Sequence, residues 1–345
     1  MTGRRGGVTH VPGHAVMRTS PVAVRPSPPA RWRQRAAALA LVAAVGWPGA
    51  AGAACTPSPL PADTPLALIF SGGGAKGAYE AGVAAALMRR SLPIRLAAGS
   101  SAGALNAAMV VDGRADLLVA RWRDLTREQV YALRPSVFFA GLLPGWLTLW
   151  ALDSAGSLFD PAPLREMISS SLDLGRVRAS SVRLLVVTSD LARRERRLFD
   201  NQTVSVDALM AAAAVPGAFP PVEIDGALLA DGGLIGRAPV LEALETAPSV
   251  GRALVVMSYA PAESGQRPTT MRRTLEEAFE MSMIHQIRRD TELARLKHPD
   301  VDVQLLTPST PLLLRPLDFD RAAMTRMLER GEADALVCLG AWEGK

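Results

Sequence analysis

The sequence predicts an α/β fold: a mainly parallel central sheet with helices on both faces. Three observations carry that expectation. Short apolar runs without alternation recur along the chain, as strands covered on both faces require. Segments with helical spacing lie between them. Glycine-rich turns follow the first two runs, where a strand must hand over to a helix.

Leu66-Ala67-Leu68-Ile69-Phe70 is the first strand and ends in Ser71 and three glycines. A helix follows from Lys76 to Arg90, with Tyr79, Val83 and Leu87 on one face. Its Gly82 and alanines permit close approach to the sheet. Ile94–Ala98 reads as the next strand and Ala102–Val111 as a helix of small residues. Leu184–Thr188 and Leu254–Met257 are buried strands, with a further one over Val301–Leu306. Arg272–Arg295 and Asp320–Leu339 read as helices. There is no internal repeat and no second composition regime after residue 65, so a single domain is the economical reading of the body.

The 345 residues carry a net charge of +5, but residues 1–54 hold seven arginines, no lysine and no acid. Without them the balance is 31 cations against 33 anions, or −2. The basic character therefore belongs to the first segment, and the body has no electrostatic footprint for nucleic acid. Within that segment an apolar, alanine-dominated run from Ala36 to Ala54 follows the arginines, and Ala51-Gly52-Ala53 fits a cleavage site. Residues 1–54 therefore read as an export signal, with Met1 or Met17 as the start. The apolar stretch is too short and too rich in alanine for a good membrane anchor. Export places the mature chain in the periplasm or cell envelope. Cys55, directly after this segment, resembles a lipoprotein acylation site, although Gly52 stands where such sites usually carry Leu. Residues 55–65 are a Pro-rich linker. Cys55 and Cys338 lie at opposite ends of the chain and are not expected to pair, and neither has the spacing of a metal site.

Three motifs carry chemistry. Gly99-Ser100-Ser101-Ala102-Gly103 is a G-x-S-x-G between a strand and a helix. Its glycines, Gly99 and Gly103, allow a sharp turn that lifts the Ser101 hydroxyl from the sheet, and the helix start behind it favours developing negative charge. Gly72-Gly73-Gly74-Ala75-Lys76-Gly77 also links a strand to a helix. A dinucleotide fingerprint needs an acid about 20 residues on, and none occurs between Glu80 and Asp112. A phosphate-binding P-loop needs Ser or Thr after the lysine, where Gly77 stands. An oxyanion hole built on bare glycine amides is the remaining use. Asp231-Gly232-Gly233 follows the apolar run Ala227–Ala230, so its carboxylate sits at a strand end. The body has two histidines, His285 and His298, both in a charged C-terminal stretch.

Together these motifs resemble the patatin-like phospholipase family. The G-G-G-x-[Lys/Arg]-G loop, the G-x-S-x-G elbow, the D-G-G turn and the preceding Ala211–Pro221 stretch occur in the family's order, over about residues 66–260. The resemblance implies a patatin-like three-layer sandwich and a metal-free, cofactor-free serine acyl hydrolase acting on lipid acyl esters, phospholipase A- or lysophospholipase-like. It implies Ser101 as nucleophile, Asp231 as base, and Gly72, Gly73, Gly74 and Lys76 as the oxyanion loop. Gly77, Gly99, Gly103, Gly232 and Gly233 support the turns. Residues 261–345 are then C-terminal helices and a strand packing on the same domain. Where relatives often carry Asn after D-G-G, this chain has Arg237, which leaves rate and substrate open. Two alternatives stand beside this reading: an esterase with a Ser101–His285–Asp231 triad, and a non-catalytic lipid-binding envelope protein. The sequence does not address oligomeric state.

Residues 135–152 carry Phe138, Phe139, Trp146 and Trp150 without a charge, broken by Pro144-Gly145. They read as a buried helical hairpin or as a cap that meets acyl chains or a bilayer surface. Arg193–Arg197 reads as a solvated hairpin loop, with anionic head groups as the alternative partner. Met281 and Met283 read as core.

Overall fold

A computed structural model describes residues 55–344 apart from 141–142, 144–146, 149–153, 155, 247–248 and 261–266. The export signal expected over residues 1–54 and the tryptophans Trp146 and Trp150 lie outside the described residues.

β1 (Leu66–Phe70) is buried along its whole length and pairs in parallel with β2 (Ile94–Gly99) on one side and β9 (Arg252–Val256) on the other. Its residues divide between two cores. Leu66, Leu68 and Phe70 join the larger cluster, and Ala67 and Ile69 the smaller, as strict alternation in a doubly covered strand demands. β10 (Asp302–Leu306) extends the sheet beyond β9, and β5 (Arg183–Asp190) extends it beyond β2, again in parallel. The far end is antiparallel: β6 (Glu195–Phe199) and β8 (Ala227–Asp231) both pair with β5, and β7 (Val222–Ile224) pairs with β8. The sheet order is β10-β9-β1-β2-β5-β8-β7, with β6 also on β5. A separate two-stranded ribbon joins β3 (Ala132–Leu133) to β4 (Phe159–Asp160).

Eleven α-helices are described: α1 (Gly77–Arg89), α2 (Ala102–Asp112), α3 (Ala115–Asp124), α4 (Arg127–Val130), α5 (Pro135–Ala140), α6 (Ala162–Ser171), α7 (Leu174–Ala179), α8 (Val206–Ala212), α9 (Val240–Thr246), α10 (Met271–Lys297) and α11 (Arg321–Trp342). The larger core joins the sheet to α1, α2, α3, α8 and α11, and the smaller joins its other face to α9 and α10. α11 lies along α1 at glycine-set distance. A methyl group on Gly82 would meet the Leu328 carbonyl oxygen at 2.1 Å, and one on Gly331 would meet that of Tyr79 at 2.1 Å.

Several expectations are corrected here. The chain folds Arg196 and Arg197 into β6, and Arg193, Arg196 and Arg197 each meet a carboxylate, of Asp190, Glu242 and Asp225. Arg193 and Arg194 lie in the exposed turn between β5 and β6, as the expected hairpin loop, whereas Glu195, Arg196 and Arg197 belong to the strand. Met281 is exposed, whereas Met283 packs against the smaller core. In α5 Val137 and Ala140 are buried while Phe138 and Phe139 are exposed, so these rings are not the inside of a hairpin.

Cys55 and Cys338, expected to stay apart, form a disulfide with their Cα atoms 4.8 Å apart. The reason is the path of α11, which carries Cys338 back to the start of the body. The linker before β1 is fastened there too. The guanidinium of buried Arg252 donates to Ser58 Oγ and the Leu60 carbonyl, pairs with Asp302, and stacks over the Trp342 ring at 4.2 Å. With its sulfur in this bridge, Cys55 is not available as a lipid anchor.

Candidate active site

β5 brings the distant motifs together through its register. Its residue Val186 faces both Gly99 of β2 and Phe199 of β6, so those strands lie on opposite edges. Thr188 faces both Arg197 of β6 and Asp231 of β8. β8 therefore occupies the same edge as β2, beginning where β2 ends. Asp231 stands two residues along β5 from Gly99, roughly 7 Å at the usual rise per residue, and Ser100 and Ser101 turn into that gap.

The turn at Ser101 is strained. Its φ of 55° and ψ of −138° are held by a residue with a side chain, directly before α2. The strain is over-determined by close packing at glycines. A methyl group on Gly99 would meet the Gly103 carbonyl oxygen at 2.3 Å, and one on Gly103 would meet the Gly72 nitrogen at 2.8 Å. A methyl group on Gly232 would meet the Val187 carbonyl oxygen at 2.2 Å and Ser100 Cβ at 3.1 Å. Gly77 similarly abuts the Trp122 ring and Ala102.

Two carbonyls at the C-terminal end of α8, one on its last residue and one two residues beyond, fasten both candidate residues. Ser101 N–H donates to the Ala212 carbonyl and Asp231 N–H to the Ala214 carbonyl, each at 3.0 Å. Such carbonyls lack partners within the helix itself. This explains the small-residue stretch Ala211–Pro221 in backbone terms that the side chains alone do not announce.

The Asp231 side chain is buried. Oδ1 accepts the Gly233 N–H at 2.7 Å, while Oδ2 has no hydrogen-bond partner among the described residues. Burial raises its pKa above the usual aspartate value; the Arg237 guanidinium, the nearby Ser101 hydroxyl and the Gly233 N–H oppose that rise. The Ser101 hydroxyl is thus near enough to influence the carboxyl, without a hydrogen bond of normal geometry to Oδ2. Arg237, the residue that departs from the family pattern, is itself buried. Its Nη1 lies beneath Gly233 and its Nη2 donates to the Tyr259 hydroxyl at 3.2 Å. Burial works against its charge, but Tyr259, Asp231, Glu80 and Glu280 outweigh burial and raise its pKa.

Gly72, Gly73 and Gly74 have φ of 72°, 136° and 58°, a run that side-chain-bearing residues rarely adopt. Their roles differ from the expected shared one. Gly72 N–H donates to Glu80 Oε1 at 2.8 Å, so it is engaged beneath the site. The N–H groups of Gly73 and Gly74 donate to no acceptor among the described residues, and both glycines line the cavity that contains Ser101 and Asp231. Lys76 does not line it. Its ammonium lies 3.4 Å from Glu280 and 4.6 Å from the centroid of the Tyr259 ring, two residues that do line the cavity.

That cavity encloses about 1190 Å³. Leu105, Met109, Trp122, Met167, Phe219 and Phe319 are among its apolar walls. At its rim Leu158, Val215, Leu234, Leu275 and Phe279 are exposed, Phe279 to 61%. His285 also lines the cavity, but makes no hydrogen bond with Ser101 or Asp231 among the described residues. Chemically, the cavity joins a strained hydroxyl, a buried carboxylate with one unengaged oxygen, two unengaged amides and an apolar volume large enough for an acyl chain. Among the described residues no group of three or more His, Cys, Asp or Glu is placed to hold a metal ion.

The model of the family described as patatin-like phospholipase matches residues 68–244. An uncharacterized NTE family protein of Mycobacterium tuberculosis is 30% identical over 176 residues, 51% of this chain. The match spans only 44% of that relative's length. Among solved structures, VipD from Legionella pneumophila is similar at 16% identity and a TM-score of 0.43, over 84% of this chain and 70% of that one. The human GIVD cytosolic phospholipase A2, solved with methyl gamma-linolenyl fluorophosphonate, is similar at 11% identity and a TM-score of 0.44, over 81% and 58%.

Proposed function

Because the chain belongs to the patatin-like phospholipase family, we propose that it is a serine hydrolase of lipid acyl esters working through a Ser101–Asp231 dyad. One observation carries the reading: β2 and β8 share an edge of β5, which sets the hydroxyl and the carboxylate together in a cavity with two unengaged glycine amides. Ser101 Oγ attacks the ester carbonyl while Asp231 Oδ2 receives its proton. The Gly73 and Gly74 amides hold the oxyanion, and the start of α2 adds its dipole. The proton passes to the departing alcohol or lysolipid. Asp231 then takes a proton from water as the water oxygen attacks the acyl carbon, and returns it to Ser101 Oγ as the Oγ–acyl bond breaks and the fatty acid leaves.

The apolar walls support a long acyl chain as the bound group. The exposed apolar rim, with Phe138 and Phe139 exposed on α5, supports contact with a lipid surface during substrate entry. The Cys55–Cys338 disulfide supports an oxidising location, in keeping with export of the mature chain. The triad alternative has weaker support, since His285 lacks a hydrogen bond to either partner.

Ser101→Ala is expected to abolish hydrolysis of a p-nitrophenyl acyl ester and labelling by a fluorophosphonate, with the circular dichroism spectrum kept. His285→Ala, assayed alongside, is expected to retain most of the rate. Undiminished turnover in Ser101→Ala would overturn the dyad; labelling of neither protein would favour a lipid-binding role.

A further inference from the structure

We propose that Glu80, a residue outside the reacting set, is the positioning residue of the oxyanion loop: as an acceptor-only carboxylate it fixes Gly72 and so aims the Gly73 and Gly74 amides at Ser101. The inference rests on the hydrolase reading above.

Glu80 is fully buried on α1 among alanines, Val83 and Tyr79. Every group that meets it is a donor. Oε1 accepts the Ser71 hydroxyl at 2.9 Å and the Gly72 N–H at 2.8 Å, and Oε2 accepts Asn106 Nδ2 at 3.3 Å. Asn106 cannot turn round to offer an oxygen. Its Oδ1 accepts the Trp122 Nε1–H at 2.7 Å, indole can only donate, and its Nδ2 also serves the Gly77 carbonyl at 3.0 Å. A proton on Oε2 would therefore face an N–H, and a proton on Oε1 would turn the Ser71 hydroxyl from a donor into an acceptor, freeing its hydrogen for the Gly72 carbonyl.

Gly72 passes any such movement directly to the nucleophile. A methyl group on it would meet the Ser100 carbonyl oxygen at 2.5 Å and Ser101 Cβ at 2.9 Å. Its carbonyl is held from the other side by the Ser258 hydroxyl after β9. The loop is thus clamped between Glu80, Ser258 and the elbow, and Glu80 is the one titratable member of the clamp.

The charged and titratable groups around Glu80 are Arg237 from the segment after Asp231, Tyr259 after β9, and Tyr79 beside it on α1. Burial lifts its pKa to about 7, against the opposing pull of Ser71, Gly72, Asn106 and Arg237. The folded value lies above that of the unfolded side chain. Protonation below pH 7 thus favours folding, and this contribution is lost as pH rises through 7. Loop positioning has the opposite sign, because only the carboxylate accepts all three donors. Acidification through pH 7 is therefore expected to lower kcat without lowering the melting temperature, a pairing that a merely structural carboxylate does not produce.

The test measures kcat, KM and melting temperature from pH 5 to 9 with a p-nitrophenyl acyl ester, for the wild type, Glu80→Gln and Ser71→Ala. The wild type is expected to lose about 10-fold to 100-fold in kcat across an ionisation near 7, on the scale of a weakened oxyanion donor. Glu80→Gln, whose amide donates toward Asn106, is expected to sit at the low level at every pH and to lack that ionisation. Ser71→Ala removes a hydrogen bond that lowers the Glu80 pKa, so its ionisation is expected to move to higher pH. A wild-type profile flat through 7, an unmoved ionisation in Ser71→Ala, or full kcat in Glu80→Gln would each overturn the inference while leaving the hydrolase reading intact. A wild type with no turnover would overturn both.

Discussion

Arg237 sets the working range of the proposed base. A carboxylate must be ionised to take the Ser101 proton, and burial raises the Asp231 pKa against that. Arg237 is the largest of the opposing influences on Asp231. Replacing it by Met keeps the length and removes the charge. Arg237→Met is expected to move the acid side of the kcat/KM profile to higher pH, read from the same ester assay; a profile that stays in place would show that Arg237 serves packing alone. At this scale the sequence was informative where a motif carries its own backbone demand. Gly99, Gly103 and Gly232 are each required by a backbone atom within 2.8 Å of where a methyl group would stand, and such positions mark themselves as Gly. It did not show the partners of Gly72 and Lys76, which are Glu80 and Glu280. Glu280 is 204 positions away from Lys76, and no local pattern reports that pairing. Glu80 did leave a signal that was passed over: an acid on an otherwise apolar helix face, four residues after the lysine.

Among the elements, the parallel half of the sheet was legible, and at the antiparallel end only β8 was, from its apolar run before Asp231. β1, β2, β5 and β9 are continuous apolar runs because both their faces are covered. β6 reads Glu-Arg-Arg-Leu-Phe and lies at the edge with most of its side chains in solvent, so charge concealed a strand. The contact of α11 with α1 was not foreshadowed: Gly82 read as an approach to the sheet, and it faces the Leu328 carbonyl of α11 instead. Its counterpart Gly331, within the expected C-terminal helix, allows the Tyr79 carbonyl to approach. Gly331→Ala is expected to destabilise the fold by about 1–3 kcal/mol, the usual cost of overpacking, despite the better helix propensity of alanine. A urea titration checks the sign; a gain in stability would mean that the two helices separate freely.

Across the whole molecule, the feature least visible in the sequence is the bridge between its ends. Nothing near Cys55 or Cys338 specifies a partner, because their proximity is a product of the path of α11 and of β10, which carries Asp302 to the Arg252–Ser58 cluster. The bridge restricts the unfolded chain, an effect on the order of 2–5 kcal/mol for native disulfides of small domains. It also makes the catalytic body a covalent ring: 283 positions separate the two sulfurs along the chain, and both proposed catalytic residues lie inside. A single protease cut anywhere within that ring opens it without releasing a piece. Nicked protein is accordingly expected to migrate as one band until thiol is added and as two afterwards, so an apparently intact preparation on a non-reducing gel says nothing about whether the backbone around the active site is whole.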